Sequence, residues 1–361
     1  MSQVVEHLAE LTGFRDRDVM DVTLVSALRD LLEPLSVAIF RMVGDAGQER
    51  WLTRARLAGD EVVASADSLW AEPARLPALH SHPERLDCMR ERHVLQRQQQ
   101  GQWLTLFPLA TEREVVGVLE IATADKLKAS AQRMVGSILR IYHNFQGLLD
   151  YSERDTLTGL LNRKTFDESF LKAVGELAPR ALDDGFADGG DGVDSEWADD
   201  GRRHGAHGDG ARPGYWLGVI DIDHFKAVND RFGHLIGDEV LLLLSRLMRN
   251  SFRFHDLLYR FGGEEFVVLM RCDDEDDAAH AFERLRRNCE QYLFPQVGRI
   301  TVSIGFTQVR AGDAPAAAFE RADRAVYHAK AHGRNQVQSH AELLAAGQMQ
   351  ELTQVSAMEL F

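Results

Sequence analysis

Gly262-Gly263-Glu264-Glu265-Phe266 lies between two runs of strand-forming residues, Asp256 to Phe261 and Phe266 to Met270, and its reading decides the fold of the C-terminal half. Adjacent glycines supply the positive φ that a hairpin turn needs, and their missing side chains let the backbone approach a ligand. The sequence therefore predicts a hairpin with Glu264 and Glu265 at its tip. Upstream, Tyr215 to Ile220 reads as an apolar strand ending in Asp221-Ile222-Asp223-His224-Phe225-Lys226. Such a strand delivers carboxylates to a sheet edge, where ligand clefts form. Carboxylates and carbonyls are the hard oxygen ligands that magnesium prefers. Either acidic cluster alone is compatible with solvated turn residues, but the two together favour a shared metal site and phosphoryl chemistry.

Helical spacing recurs over Asp238 to Asn250, Asp277 to Tyr292 and Ala316 to Ala331, the last read as the final helix, and Arg299 to Gln308 reads as one strand. The final helix runs into Lys330-Ala331-His332-Gly333-Arg334-Asn335, with the glycine as its stop. Lys330 and Arg334 are candidate phosphate-neutralising cations. Basic residues in a last helical turn also favour the macrodipole, so the acidic clusters are what give these two a functional reading.

The N-terminal half begins with helical periodicity over Val19 to Leu32. Strand-like runs follow at Ser36 to Val43, Trp51 to Leu57, Trp103 to Ala110 and Glu114 to Thr123, a small α+β module. Lys126 to Asp150 is again helical, with Met134, Ile138, Ile141, Phe145, Leu148 and Leu149 on one stripe. That stripe suits a dimer seam and signal lever, or packing against the N-terminal domain. Ala181 to Gly214 turns to Asp and Gly with almost no apolar content and reads as a disordered insertion without a catalytic role. Its single Gly189-Gly190-Asp191-Gly192-Val193-Asp194 lacks the stacked neighbours of a calcium-binding β-roll.

A length of 361 residues suits two domains. The net charge of −15 opposes broad binding to nucleic acid or anionic membrane, so a nucleotide would be held locally, through metal. The three cysteines, Cys88, Cys272 and Cys289, are scattered, which suits a reducing compartment and buried filler roles. No apolar run reaches membrane-spanning length, and the expectation is a soluble, cytoplasmic protein.

These motifs, together with Asp155-Thr156-Leu157-Thr158-Gly159-Leu160-Leu161-Asn162-Arg163, Asn229-Asp230, Gly233-His234, Gly237-Asp238 and Val302-Ser303-Ile304-Gly305, resemble the GGDEF domain of diguanylate cyclases. Such enzymes condense two GTP molecules into cyclic di-GMP with release of pyrophosphate. The resemblance covers about half the chain. It implies an α+β fold with a mixed sheet wrapped by helices, related to nucleotidyl cyclase and polymerase palm domains. Asp221, the Ile222 carbonyl and Glu264 would hold magnesium, or manganese, with two ions per active site, and Glu265 would assist the second metal or the developing charge. Asp221, Glu264 and Glu265 are thus the expected catalytic residues. The backbone at His224, Phe225 and Lys226, the turn glycines Gly262 and Gly263, and Lys330 and Arg334 would cradle phosphates, while Asn229 and Asp238 read guanine. A carboxylate accepts from guanine's N1 and exocyclic amine, donors that adenine does not present in the same pattern. Glu264 in place of the family's aspartate keeps the carboxylate.

Each domain would hold one GTP, so catalysis requires a homodimer. Arg253 and Asp256, with Arg284 as an additional contact, resemble the inhibitory site where cyclic di-GMP locks the domains apart; the ordinary alternative is an ion pair on a helix surface. The expected order is a GAF-like sensor over 1–127, a dimerisation helix over 128–154, the GGDEF domain over 155–342 with its insertion near 181–214, and a tail over 343–361. The sensor assignment rests on strand order, with a PAS-type domain as the alternative, and its small-molecule or protein input is unknown. A haem or bilin on Cys88 and His93 is disfavoured because each is a lone residue. Two other readings stay open: a non-catalytic receptor for cyclic di-GMP, and an adenylate cyclase or polymerase-like nucleotidyltransferase.

Overall fold

A computed structural model describes residues 6, 9, 11, 13, 16–44, 47–59, 61–68, 70–71, 73–110, 115–177 and 214–350. The Asp/Gly-rich insertion over 181–213 lies outside them. The chain divides into two compact units, Met1–Leu160 with Phe252–His255, and Leu161–Ser251 with Asp256–Phe361.

In the first unit, α1 (Arg17–Leu32) opens on Asp16, whose carboxylate accepts the backbone N–H groups of Asp18 and Val19. Strands β1 (Ser36–Val43), β2 (Arg50–Ala58), β3 (Leu95–Gln99), β4 (Gln102–Ala110) and β5 (Val115–Thr123) form an antiparallel sheet in the order β2-β1-β5-β4-β3. Alternation sends Val37 and Ile39 to one face and Ala38 and Phe40 to the other, and both faces are buried. The first face packs on Leu24 and Leu28 of α1 and on Val135, Ile138 and Leu149 of α3 (Ala129–Glu153). The second packs on Cys88 of α2 (Pro83–Glu91), together with Trp51, Leu106 and Val118. The buried Cys88 thiol, which burial pushes up to about 12, faces the His93 carbonyl.

The stripe on α3 is thus divided. Ile138 and Leu149 are core residues and Met134 and Phe145 pack against that core, whereas Ile141, Leu148 and Tyr151 remain exposed.

The second unit is built on a six-stranded mixed sheet, β13-β12-β7-β9-β8-β6. It comprises β6 (Leu161–Asn162), β7 (Gly214–Ile222), β8 (Leu257–Gly262), β9 (Glu265–Cys272), β12 (Val302–Gln308) and β13 (Val337–Ser339), with β6–β8 and β12–β13 parallel and the other pairs antiparallel. All nine residues of β7 are buried, as an unbroken apolar run in a central strand requires. The helices are α4 (Arg163–Leu177), α5 (Phe225–Phe232), α6 (His234–Ser251), α7 (Glu275–Gln291), α8 (Pro315–Ala331) and α9 (His340–Ala345). The predicted strand over Arg299 to Gln308 is broken: Gly298–Arg299 is a separate β11 that pairs with β10 (Leu293–Phe294). Helix α8 is not the last, because α9 follows and buries Leu343. At Gly305 of β12 strand and helix come into close contact. A Cβ there would stand 2.2 Å from the Ala322 carbonyl oxygen and 2.4 Å from the Val326 nitrogen of α8. Among the described residues, no helix is long and apolar enough to cross a membrane.

Candidate active site

Sheet register assembles the acids. Asp221, near the end of β7, pairs with Glu265 at the start of β9 on one side and with Ser303 of β12 on the other. Glu264 occupies the β8–β9 turn with Gly263, whose φ of 50° is the left-handed conformation that glycine adopts without strain. Arg260 clamps this turn, its Nε and Nη2 donating to the Gly263 carbonyl at 3.2 and 2.9 Å. Phe261 fixes the hairpin from beneath, stacked on Phe319 of α8 at 4.9 Å and edge-on to Phe166 of α4 at 5.0 Å.

Asp221 is 6% exposed, and its Oδ1 has no well-aligned hydrogen-bond donor among the described residues; the Lys330 ammonium of α8 lies 2.7 Å away. We read this as a charge contact. Burial pushes the Asp221 carboxyl above the usual carboxylate range, Lys330 opposes that shift, and Asp223 and Asp323 add to it. Glu264 and Glu265 are also raised, first by burial and then by Asp221. Asp323, about two turns before Lys330 on α8, is raised by burial and in turn raises Asp221 and Glu265. The four acids therefore share one cationic side chain among them, Lys330, with Arg163 a further influence on Glu265.

Asp223, two residues on, is equally buried and fully satisfied. It accepts from Thr301 Oγ1 at 2.6 Å, Ser303 Oγ at 2.7 Å and the Asn335 backbone N–H at 3.0 Å. It thereby ties the end of β7 to the turn after α8, where Gly333, Arg334 and Asn335 have φ of 113°, 63° and 45°. From the other side, Arg286 of α7 donates to Asn335 Oδ1 at 2.8 Å, and Asn335 Nδ2 donates to Glu290 at 2.8 Å. Arg334 is thus presented by a turn bolted to two elements.

His224 adopts φ of 59° and starts α5, so the first N–H groups of that helix, at Phe225 and Lys226, lie directly after β7. Asn229 of α5 lies against the first turn of α6: a Cβ at Gly237 would come within 2.0 Å of its Oδ1, and Asp238 is the next residue. Arg253 and Asp256 fall in the turn between α6 and β8 rather than on a helix, which removes the helix-surface pair as an explanation. Arg284 of α7 donates from Nε and Nη2 to the Ser251 carbonyl at 2.9 and 2.6 Å.

The donor set fits a hard divalent cation. A buried carboxylate oxygen is met by the Lys330 ammonium, a second acid sits across the hairpin, and the Ile222 carbonyl ends the same strand. Among the described residues no three His, Cys, Asp or Glu side chains are already gathered as a metal cage, so the set would be two acids and a backbone carbonyl. Sequence reading missed Asp323, Asn335 and the distinct role of Asp223. The spacing of Asp323 seven residues before Lys330 on one helix was the available signal for the first.

An acid-tipped hairpin beside a central strand in a mixed, helix-wrapped sheet makes the second unit an α+β domain with its acids gathered at one sheet edge. Residues 212–336 match the family profile described as "Diguanylate cyclase, GGDEF domain". Diguanylate cyclase DgcP of Pseudomonas aeruginosa is 43% identical over 140 residues, 38% of this chain and 20% of that protein. Response regulator PleD of Caulobacter vibrioides is 44% identical over 125 residues, 33% of this chain and 28% of that protein. The chain therefore spans less than a third of these relatives. Among solved structures, the GGDEF domain of DgcB from Caulobacter crescentus in complex with c-di-GMP is 28% identical, covers 52% of this chain and 96% of its own, and has a TM-score of 0.41.

Proposed function

We propose that the second unit is a diguanylate cyclase that joins two GTP molecules into cyclic di-GMP and releases two pyrophosphates. The observation that carries this reading is the donor-poor Asp221 carboxylate beside the acidic hairpin of a GGDEF domain. Asp221, the Ile222 carbonyl and Glu264 hold magnesium, with manganese as an alternative and Glu265 serving a second ion. A metal held by these residues would supply polarisation of the α-phosphate and easier ionisation of the attacking 3′-hydroxyl.

The protein's own residues position and neutralise. The N–H groups at the start of α5 face the terminal phosphates, while Lys330 turns from balancing Asp221 to balancing phosphate alongside Arg334. Asp238 and Asn229 read the guanine edge, which a hydrogen-bonding site discriminates strongly. Asp223 and Arg286 act as positioning residues for the Arg334 turn.

Two nucleotides must face each other, so the active species is a homodimer. The exposed Ile141, Leu148 and Tyr151 on α3 support a helical seam between copies. Product held by Arg253 and Asp256, with Arg284 released from Ser251, inhibits turnover, and the first unit acts as a GAF-like cytoplasmic sensor. Incubating the purified chain with GTP and magnesium should yield cyclic di-GMP, and ATP should not substitute. Absence of product from a verified dimer overturns the assignment, and tight cyclic di-GMP binding without turnover would favour a receptor instead.

A further inference from the structure

The first unit contains a cavity of about 280 Å³ between its sheet and α3. It opens where β3 stops pairing at Leu95 with Leu106, so that Phe107 to Leu109 of β4 run on without a β3 partner. The volume lies near the lower end of small-molecule sites, about 300–1,000 Å³.

Arg41 of β1 lines this space. Its Nη2 donates to the neutral Gln146 amide at 2.8 Å, while its buried Nε meets no acceptor among the described residues. The nearest buried acid is already committed: Asp21 accepts from Arg54 Nε at 2.8 Å and from the Tyr142 hydroxyl, and Gln146 Nε2 donates to that hydroxyl at 2.6 Å. The polar chain from Asp21 is closed at one end and finishes at the other on a guanidinium with an N–H to spare. A buried charged donor left unmatched is costly, so the vacancy points to a missing acceptor. Arg140 of α3 stands on the same lining, so local charge favours an anion. Gly136 supplies the third observation. Glycine is unfavourable within a helix, yet here a Cβ would meet nothing within 4 Å, and the residue borders the cavity.

We propose that this cavity binds a small organic monoanion, a carboxylate on a compact apolar body that a volume of about 280 Å³ admits. The head group accepts from Arg41 Nε and the body lies on Phe107, Leu109 and Leu139. Helix α3 is the last element of the chain before the second unit begins at Leu161, so this is also where an input would enter under the regulatory reading above. Binding itself does not depend on that reading.

The test uses the full chain with phenylacetate and hexanoate as probes and phenylacetamide as the neutral isostere, read by calorimetry and thermal shift. Both acids should bind saturably, with phenylacetamide at least about tenfold weaker, as expected when a charge-assisted hydrogen bond is lost. Arg41→Gln should lose acid binding. Gly136→Leu should fill the cavity, abolish binding and leave the melting temperature no lower, which covers the case in which Arg41→Gln fails to fold. Failure of both acids to bind, equal binding of phenylacetamide, or unchanged binding in Gly136→Leu overturns the proposal. Cyclic di-GMP formation assayed on the same sample keeps the two readings apart: binding without turnover sinks only the cyclase, and turnover without binding sinks only this site.

Discussion

Each unit buries a carboxylate against its sheet, and the two are treated in opposite ways. In the first, Asp21 is fully buried but gripped by Arg54 and the Tyr142 hydroxyl, so its charge is spent within the fold. In the second, Asp221 has the Lys330 ammonium beside it and four more acids, Asp223, Asp323, Glu264 and Glu265, close enough to raise its proton affinity or have theirs raised. Burial alone therefore does not mark a functional acid. What marks it is burial without enough partners, a costly arrangement that a bound cation would relieve. Asp223 makes the same point within a single strand end, since it differs from Asp221 chiefly in having its three donors.

The largest test of this contrast is activity. Asp221→Ala and Glu264→Ala should each cut cyclic di-GMP synthesis by about 10³-fold or more, as expected when a charge-stabilising metal site is lost. Without added metal, Asp221→Asn should match or exceed the wild type in melting temperature, because it removes a charge that burial and neighbouring acids disfavour. A strongly lowered melting temperature would show Asp221 to be structural after all.

Asp21→Ala should behave in reverse. It leaves Arg54 with only the half-exposed Asp18, and should cost the first unit about 3 kcal/mol in chemical denaturation, the scale of a broken buried pair. Unchanged stability would dissolve the comparison.

Asp223→Asn should fall between the two, losing about 1–2 kcal/mol through mismatched donors and raising KM for GTP more than it lowers kcat, because the Arg334 turn loosens. An effect on kcat alone would argue for direct metal contact.

The smallest effect concerns pH. Burial raises the Asp313 carboxyl, but the Arg321 guanidinium and the Arg310 backbone N–H outweigh it and hold the group below the usual carboxylate range. A depressed acid contributes stability above its unfolded pKa, near 4, that is lost as pH falls through the folded value. Denaturation midpoints of the wild type and Arg321→Met should therefore differ at pH 7 and converge in that acid range.

Much of the second unit was legible in sequence because its signals are local. An apolar run gave β7, and paired glycines between strand-forming runs gave the hairpin. Less legible was what tertiary pairing creates. Strand β3, Leu-Gln-Arg-Gln-Gln, is nearly all polar and exists because β4 offers it an edge. The break between β11 and β12 likewise depends on pairing with β10. In the site, residue types announced the carboxylates, but nothing in Asp-Ile-Asp distinguishes the satisfied acid from the unsatisfied one. That difference is made by Thr301, Ser303 and Asn335, some 80 to 110 residues away.

The tight crossing at Gly305 carries a last consequence. Helix α8 brings Lys330 to Asp221 and can rest so low only because the strand beneath it has no side chain at that point. Gly305→Ala would lift the helix and, with it, the ammonium. A methyl group on the same face of the sheet, two strands away from the hairpin acids, would thus act as a rheostat, detuning the enzyme in small increments while every reacting group kept its identity.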